Sequence, residues 1–131
     1  MHLRRRITDE KGQTATELAL VLPVFCLLLF GVIQFGIVFR DYVTLTDAVR
    51  AGARKGAVSR YEGNPVGTTT DAVRRAATGL DQSRLAVTVT ATAWEHGGDV
   101  TVTATYPYRI TLLGFVAKSG NLRSSTTERV E

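Results

Sequence analysis

From Leu18 to Phe39 the chain runs for 22 residues without a charged side chain, and Gln34 is the one strongly polar residue among them. As a helix at about 1.5 Å per residue this stretch is roughly 33 Å long, enough to cross a hydrocarbon core of about 30 Å. Beyond Phe39 the pattern changes. Apolar or small residues recur at Tyr42, Leu45, Val49, Gly52, Ala53 and Gly56, with Arg40, Asp47, Arg50 and Arg54 between them. That spacing belongs to a one-sided helix, so the rod is predicted to continue to about Val58. Gly63, Asn64, Pro65 and Gly67 predict a loop over residues 59–70, with Thr70 as N-cap of a short helix from Asp71 to Thr78 and Gly79 as its stop.

Period-two alternation follows. Leu85, Val87, Val89, Ala91 and Ala93 alternate with threonines and alanine, and Val100, Val102, Ala104 and Tyr106 do so after Gly97-Gly98. This predicts a β-hairpin. A two-residue turn at the glycine pair would set Ala93 opposite Val102, Ala91 opposite Ala104 and Val89 opposite Tyr106, with Pro107 ending the second strand. Residues 108–117 are expected as a loop or short helix against the sheet, and residues 121–130 as a third strand rich in Thr and Ser. The fold class is therefore α+β with a single membrane pass: a long N-terminal transmembrane helix, an amphipathic continuation, and a small antiparallel sheet.

Charge narrows the options. The chain carries a formal +4, and Arg4, Arg5, Arg6 and Lys11 against Asp9 and Glu10 supply part of it before Gly12. The only dense basic cluster thus adjoins the apolar run, which argues against nucleic acid as a partner. Arg74 and Arg75 read as a solvated face. Cys26 lies inside the run with no second cysteine and reads as a small hydrophobe. The run is too long for a secretory signal, and the nearest small-x-small site, Ala51-Gly52-Ala53, lies beyond several charges. Basic residues flank the run about equally, so the positive-inside rule decides little. The short N-terminal tail cannot hold a folded domain, and the expected orientation is N-terminus inside with the larger part exported.

Glu17 stands directly before Leu18, at the edge of the apolar run. One reading has it in the headgroup layer, complementing the positive start of the helix dipole. Another has a function: a cut after Gly12 would free an α-amino group on Gln13, protonated near neutrality with a reference pKa of about 7.7–8.0, and Glu17 could neutralise it. Pro23 removes one helical hydrogen bond near this end and predicts a kink or local unwinding. Gln34 offers a polar contact between helices. The small residues at 51–53 allow close approach, either by the rest of the chain or by a neighbour.

Three stretches together resemble a known family: Gly12-Gln13-Thr14-Ala15-Thr16-Glu17-Leu18-Ala19-Leu20-Val21-Leu22-Pro23, then Leu28 to Gly36, then Ala48-Val49-Arg50-Ala51-Gly52-Ala53-Arg54. They are similar to the TadE/TadG-like minor pilins, or pseudopilins, of the tight-adherence (Tad, or Flp) pilus system. The resemblance implies a pilin-like fold, a cleavable basic leader at residues 1–12, and cleavage between Gly12 and Gln13 by a prepilin peptidase. It implies that Glu17 belongs to the processing and assembly motif. Residues 13–39 would then be processing motif and membrane helix, 40–58 its amphipathic extension, and 59–131 an exported domain. Implied partners are membrane lipid, the peptidase, other pilin or pseudopilin subunits and the assembly machinery; the implied location is the bacterial cytoplasmic membrane or the pilus. Two positions depart from the family: Gln34, where an acid is common, and Leu18, where Phe is common.

No catalytic, metal or cofactor-binding pattern stands beside this. His2 would leave with the leader, His96 sits at a turn, and no serine occupies a Gly-x-Ser-x-Gly turn. No enzymatic activity, cofactor or small-molecule substrate is expected. The alternative from another class is an envelope binding or accessory protein that stays permanently anchored and uses its exported part for protein contacts.

Overall fold

The computed structural model describes the backbone of residues 3–131 and the side chains of residues 12–131. The basic cluster Arg4, Arg5, Arg6 and Lys11 therefore lies outside the described side chains, and His2 outside the described chain. Two helices precede three strands: α1, Leu3–Ala57; α2, Pro65–Ala76; β1, Ala86–Ala91; β2, Asp99–Leu112; β3, Phe115–Arg129. The strands form one antiparallel sheet in the order β1-β2-β3. The α+β class expected from the patterning is the one observed.

The 55 residues of α1 make a rod about 80 Å long. Only its last quarter has a core to face. Leu45, Ala48, Val49, Ala53 and Ala57 are buried with Val73 of α2, with Val100, Val102, Ala104 and Tyr106 of β2, and with Val130. Of the predicted stripe, Leu45, Val49, Gly52, Ala53 and Gly56 are buried, joined by Ala48, while Tyr42 is exposed because the fold does not reach that far along the helix; the even-numbered residues of β2 supply the opposing face. The odd-numbered face is polar, with Thr101 and Thr103 hydrogen-bonded across to Thr127 and Ser125 at 2.8 and 2.9 Å.

Glycines on α1 let the elements close up. A Cβ at Gly52 would stand 2.2 Å from Val73 Cγ2, and one at Gly56 would stand 3.0 Å from Val100 Cγ1. Gly52 and Ala53 thus serve packing within the chain, while Ala51 is exposed. The α1–α2 connection is clasped by Glu62, which accepts from Lys55 Nζ at 2.8 Å and Thr68 Oγ1 at 3.2 Å. These donors, Lys55 first, hold the Glu62 carboxyl below its ordinary value.

Four local expectations are corrected. The second helix starts at Pro65, not after Thr70: Asn64 is the N-cap, its Oδ1 accepting from Gly67 N–H at 3.0 Å, and Pro65 has no N–H to leave unpaired at the first turn. The helix ends at Ala76, with Gly79 three residues on.

The hairpin register is the second. Val89 pairs with Val102, Ala91 with Val100 and Val87 with Ala104, across a longer connection that includes Gly97-Gly98. The glycine pair is engaged elsewhere: Gly97 N–H donates to the Val130 carbonyl at 3.0 Å and Val130 N–H donates to the Gly98 carbonyl at 2.7 Å. Because the shift is an even number of residues, every side chain keeps its predicted face.

Third, β2 continues through Pro107, which pairs with Asn121. The Pro107 carbonyl accepts from Arg84 Nη2 at 3.4 Å, on the side away from β3. A strand residue's N–H points the same way as its carbonyl, and on that side β1 has already ended, since Ala86 pairs with Thr105. The missing N–H therefore costs no ladder bond. Fourth, residues 108–117 are neither loop nor helix but strand, turn and strand. Leu113 at φ 48° and Gly114 at φ 83° form the two-residue connection, both in the left-handed region that short hairpins require. The third strand expected at 121–130 is the distal part of β3.

Candidate functional site

The residues singled out by the sequence lie along one helix. Gly12 and Gln13 share one turn of α1 and Glu17 lies on the next, just before the apolar run, and all three are exposed. Gln13 Nε2 donates to Glu17 Oε1 at 3.1 Å, the contact that i,i+4 spacing permits. Thr16 Oγ1 donates to the Gly12 carbonyl at 2.9 Å. The structure thus brings Gln13 and Glu17 together through a side-chain amide, a contact the sequence reading passed over in favour of the α-amino group.

Local propensity is low here. Glycine costs about 1 kcal/mol relative to alanine in a helix, and Thr14 and Thr16 are β-branched. A threonine hydroxyl that bonds back to the carbonyl four residues earlier competes mildly with the backbone ladder. A Cβ at Gly12 would meet nothing within 4 Å among the described residues, so the glycine is not required there by packing.

From Leu18 onward the helix is apolar around its whole circumference and uncovered. Leu18, Leu20, Val24, Phe25, Leu28, Val32 and Phe35 are all more than half exposed. Among the described residues this is the one helix long and apolar enough to cross a membrane, and none of that stretch is buried. Burial separates it from the core helix of a water-soluble fold, which passes the same test of length and composition. The helix runs on through Pro23. Cys26 and Gln34 are half-buried within it, and Gln34 makes no side-chain hydrogen bond among the described residues. At the far border Arg40 donates from Nη2 to Asp41 Oδ1 at 2.9 Å, so the first two charges after the run form a pair.

The model of the TadE-like protein family matches residues 12–54. The first helix is TadE-like. The match starts at the glycine before the Gln13–Glu17 pair and ends on the buried stripe of α1, the same span that carried the resemblance in sequence. No curated protein and no solved structure matches the chain. The TadE-like segment is thus the membrane-length half of α1 together with the turns that seat the sheet, while α2 and all three strands lie outside it.

Proposed function

We propose that this protein is a minor pilin, or pseudopilin, acting in the assembly of an adhesive Tad-type pilus. The observation that carries the reading is the start of the TadE-like segment at Gly12, five residues before Glu17 and the 22-residue uncharged run from Leu18 to Phe39, whose large apolar side chains are uncovered. Residues 1–12 act as a basic leader held inside the cell, a prepilin peptidase cuts between Gly12 and Gln13, and residues 18–39 hold the subunit in the bilayer with residues 59–131 exported.

The chemistry of the cut follows from the local geometry. A peptidase must unwind the helix to reach a peptide carbonyl, and the glycine and threonines make these turns inexpensive to open. Cleavage converts the Gln13 amide nitrogen into an ammonium. Glu17, one turn away and already within reach of Gln13, then faces a cation on its own chain or on a neighbour. Pairing lowers the cost of holding either charge at the membrane boundary. Glu17 is in this reading an assembly residue, and Gln34 a polar contact between packed helices.

The test is the intact mass of the protein from its native membrane, beside Gly12→Leu and Glu17→Ala variants. A mature chain beginning at Gln13, uncut in Gly12→Leu and cut but poorly assembled in Glu17→Ala, is the expected result. An uncut chain beginning at Met1, in cells expressing their peptidase, overturns it and leaves a permanently anchored accessory protein.

A further inference from the structure

The β2–β3 hairpin outgrows its sheet. β1 pairs with β2 only as far as Thr105, so beyond Tyr106 the hairpin extends as two strands alone. Its tip is apolar and bare: Leu113 is 70% exposed, Phe115 80% and Val116 54%. Solvent-facing clusters of this kind on a small fold need a partner.

The direction in which the hairpin points identifies that partner. Val100, at the start of β2, stands against Gly56, and Glu131 N–H donates to the Ala57 carbonyl, so this end of the sheet lies at the C-terminal end of α1. From there the buried residues of β2, Val100 to Tyr106, cover about 20 Å at about 3.3 Å per residue. The buried stripe of α1, from Ala57 back to Leu45, covers about 18 Å. α2 runs back along α1, with Thr69 against Gly56 and Val73 against Gly52, and beyond its end Asp81 N–H donates to Tyr106 Oη at 3.3 Å, so β2 heads back toward the apolar half of the helix. Leu112 lies about 40 Å beyond Val100 along the strand. If about a third of that length were lost to tilt and twist, the tip would reach the level of Val38, at the end of the uncharged run.

The hairpin's charge is one-sided. Between Asp99 and Glu128 the chain has no carboxylate, while Arg109, Lys118 and Arg123 supply three cations. Ile110 pairs with Lys118, and Arg109 with Ser119, so two of the cations sit just behind the apolar tip. An apolar end backed by long basic side chains matches the boundary between acyl chains and anionic headgroups.

We propose that the β2–β3 hairpin tip, Leu113 to Val116, inserts into the headgroup–acyl boundary of the bilayer that α1 spans, giving the subunit a second membrane contact beside its helix. This rests on reading residues 18–39 as membrane-spanning. The full chain, reconstituted in vesicles of phosphatidylcholine and phosphatidylglycerol, tests both separately. In a Trp94→Phe background, single tryptophans at Phe115→Trp, Val32→Trp and Thr90→Trp report on the tip, the span and the exposed far end of the sheet. Expected are a blue-shifted tryptophan at 115 that loses about half its emission in lipids brominated near the headgroup, strong quenching at 32 with deeper bromines, and little at 90. Quenching at 32 with a response at 115 equal to that at 90 overturns the tip contact and keeps the span. No quenching at 32 removes the span and the proposal with it. A blue-shifted but unquenched tryptophan at 115 also overturns it, since the tip would then be covered by protein.

Discussion

Gly52 gives the sharpest test of the packing. In an open helix, Gly→Ala stabilises by about 1 kcal/mol. At Gly52 the new Cβ would stand 2.2 Å from Val73 Cγ2, with Val73 Cβ at 3.4 Å and the Thr69 carbonyl at 3.5 Å behind it. Carbon atoms rest about 3.5–4.0 Å apart, so the groups must separate by roughly 1.3 Å or more. Val73 is fully buried, and a valine on a helix has one strongly preferred rotamer, so rotating it away is not an easy escape. α2 has to move as a body. Overpacking of this kind costs about 1–3 kcal/mol, and the size of the overlap puts it at the upper end. Subtracting the helix gain leaves Gly52→Ala about 2 kcal/mol destabilising, a fall of about 10 °C in melting temperature for a folded part of this size.

The double variant reverses the sign. With Val73→Ala the clashing methyl is gone, and Gly52→Ala then stabilises by up to about 1 kcal/mol, a coupling of about 3 kcal/mol between the two positions. Thermal melts of the full chain in detergent, followed through Trp94, which packs on the core, supply all four corners of the cycle. Gly63→Ala, where a Cβ meets nothing within 4 Å, is the control for the substitution itself. A Gly52→Ala chain that melts higher than the parent, or shifts equally in both Val73 backgrounds, would refute the close approach of α1 and α2.

Two more outcomes follow from polar groups. Thr69 is fully buried and its hydroxyl has no partner among the described residues, so Thr69→Val should leave the melting temperature unchanged or raise stability by about 1 kcal/mol, whereas Thr69→Ala lowers it by opening space beside Gly56; a marked loss in the valine variant would mean the hydroxyl is satisfied after all. Glu62 has a folded-state pKa below its ordinary 4.5, so the stability it contributes is present above pH 4.5 and is lost as pH falls through the lower folded value. Melting temperature against pH should therefore fall less steeply on the acid side in Glu62→Gln, with a residual slope from Asp81, whose carboxyl the Ser83 hydroxyl and backbone N–H also hold down; an unchanged acid slope would count against the clasp.

What was legible in the sequence was whatever depends on periodicity. The one-sided spacing from Leu45 to Ala53 and the alternation from Val100 to Tyr106 specify which side chains face inward, and those residues are the core. Register, turn position and helix start depend on competing local partners, which a pattern does not rank. Gly97-Gly98 does end a tight turn, Gly98 N–H donating to the Glu95 carbonyl at 2.9 Å, but the turn starts at Glu95 and the remaining glycine groups pair with Val130, and the even shift that results leaves no trace in the alternation. Pro107 reads as a strand end until the neighbouring strand is known to stop first. Asn64 and Thr70 are both sound caps, and Pro65 one residue after Asn64 was the signal that separated them. At the candidate site, Gly12, Gln13 and Glu17 were legible from their order before the apolar run, but the Gln13–Glu17 side-chain bond was visible only as a spacing.

The apolar half of α1 constrains any account of how the protein works. Fifteen large apolar side chains between Leu18 and Phe39 stand 40–72% exposed. At about 1 kcal/mol for burying the exposed part of each, keeping the run out of water is worth on the order of 15 kcal/mol. A small fold is held together by about 5–15 kcal/mol, so the C-terminal part would unfold about as readily as this helix would enter water. A single neighbouring helix covers only a stripe of about 100° and cannot shield the whole circumference. If the subunit leaves the bilayer for a pilus, it must pass directly from lipid into contacts that surround it, with no aqueous state between. On the proposed reading, the Gln13 ammonium and Glu17 sit at the end of the helix that crosses the bilayer last, and their pairing matters most at that step. A cation and a carboxylate that neutralise each other can be drawn through hydrocarbon at far lower cost than either alone.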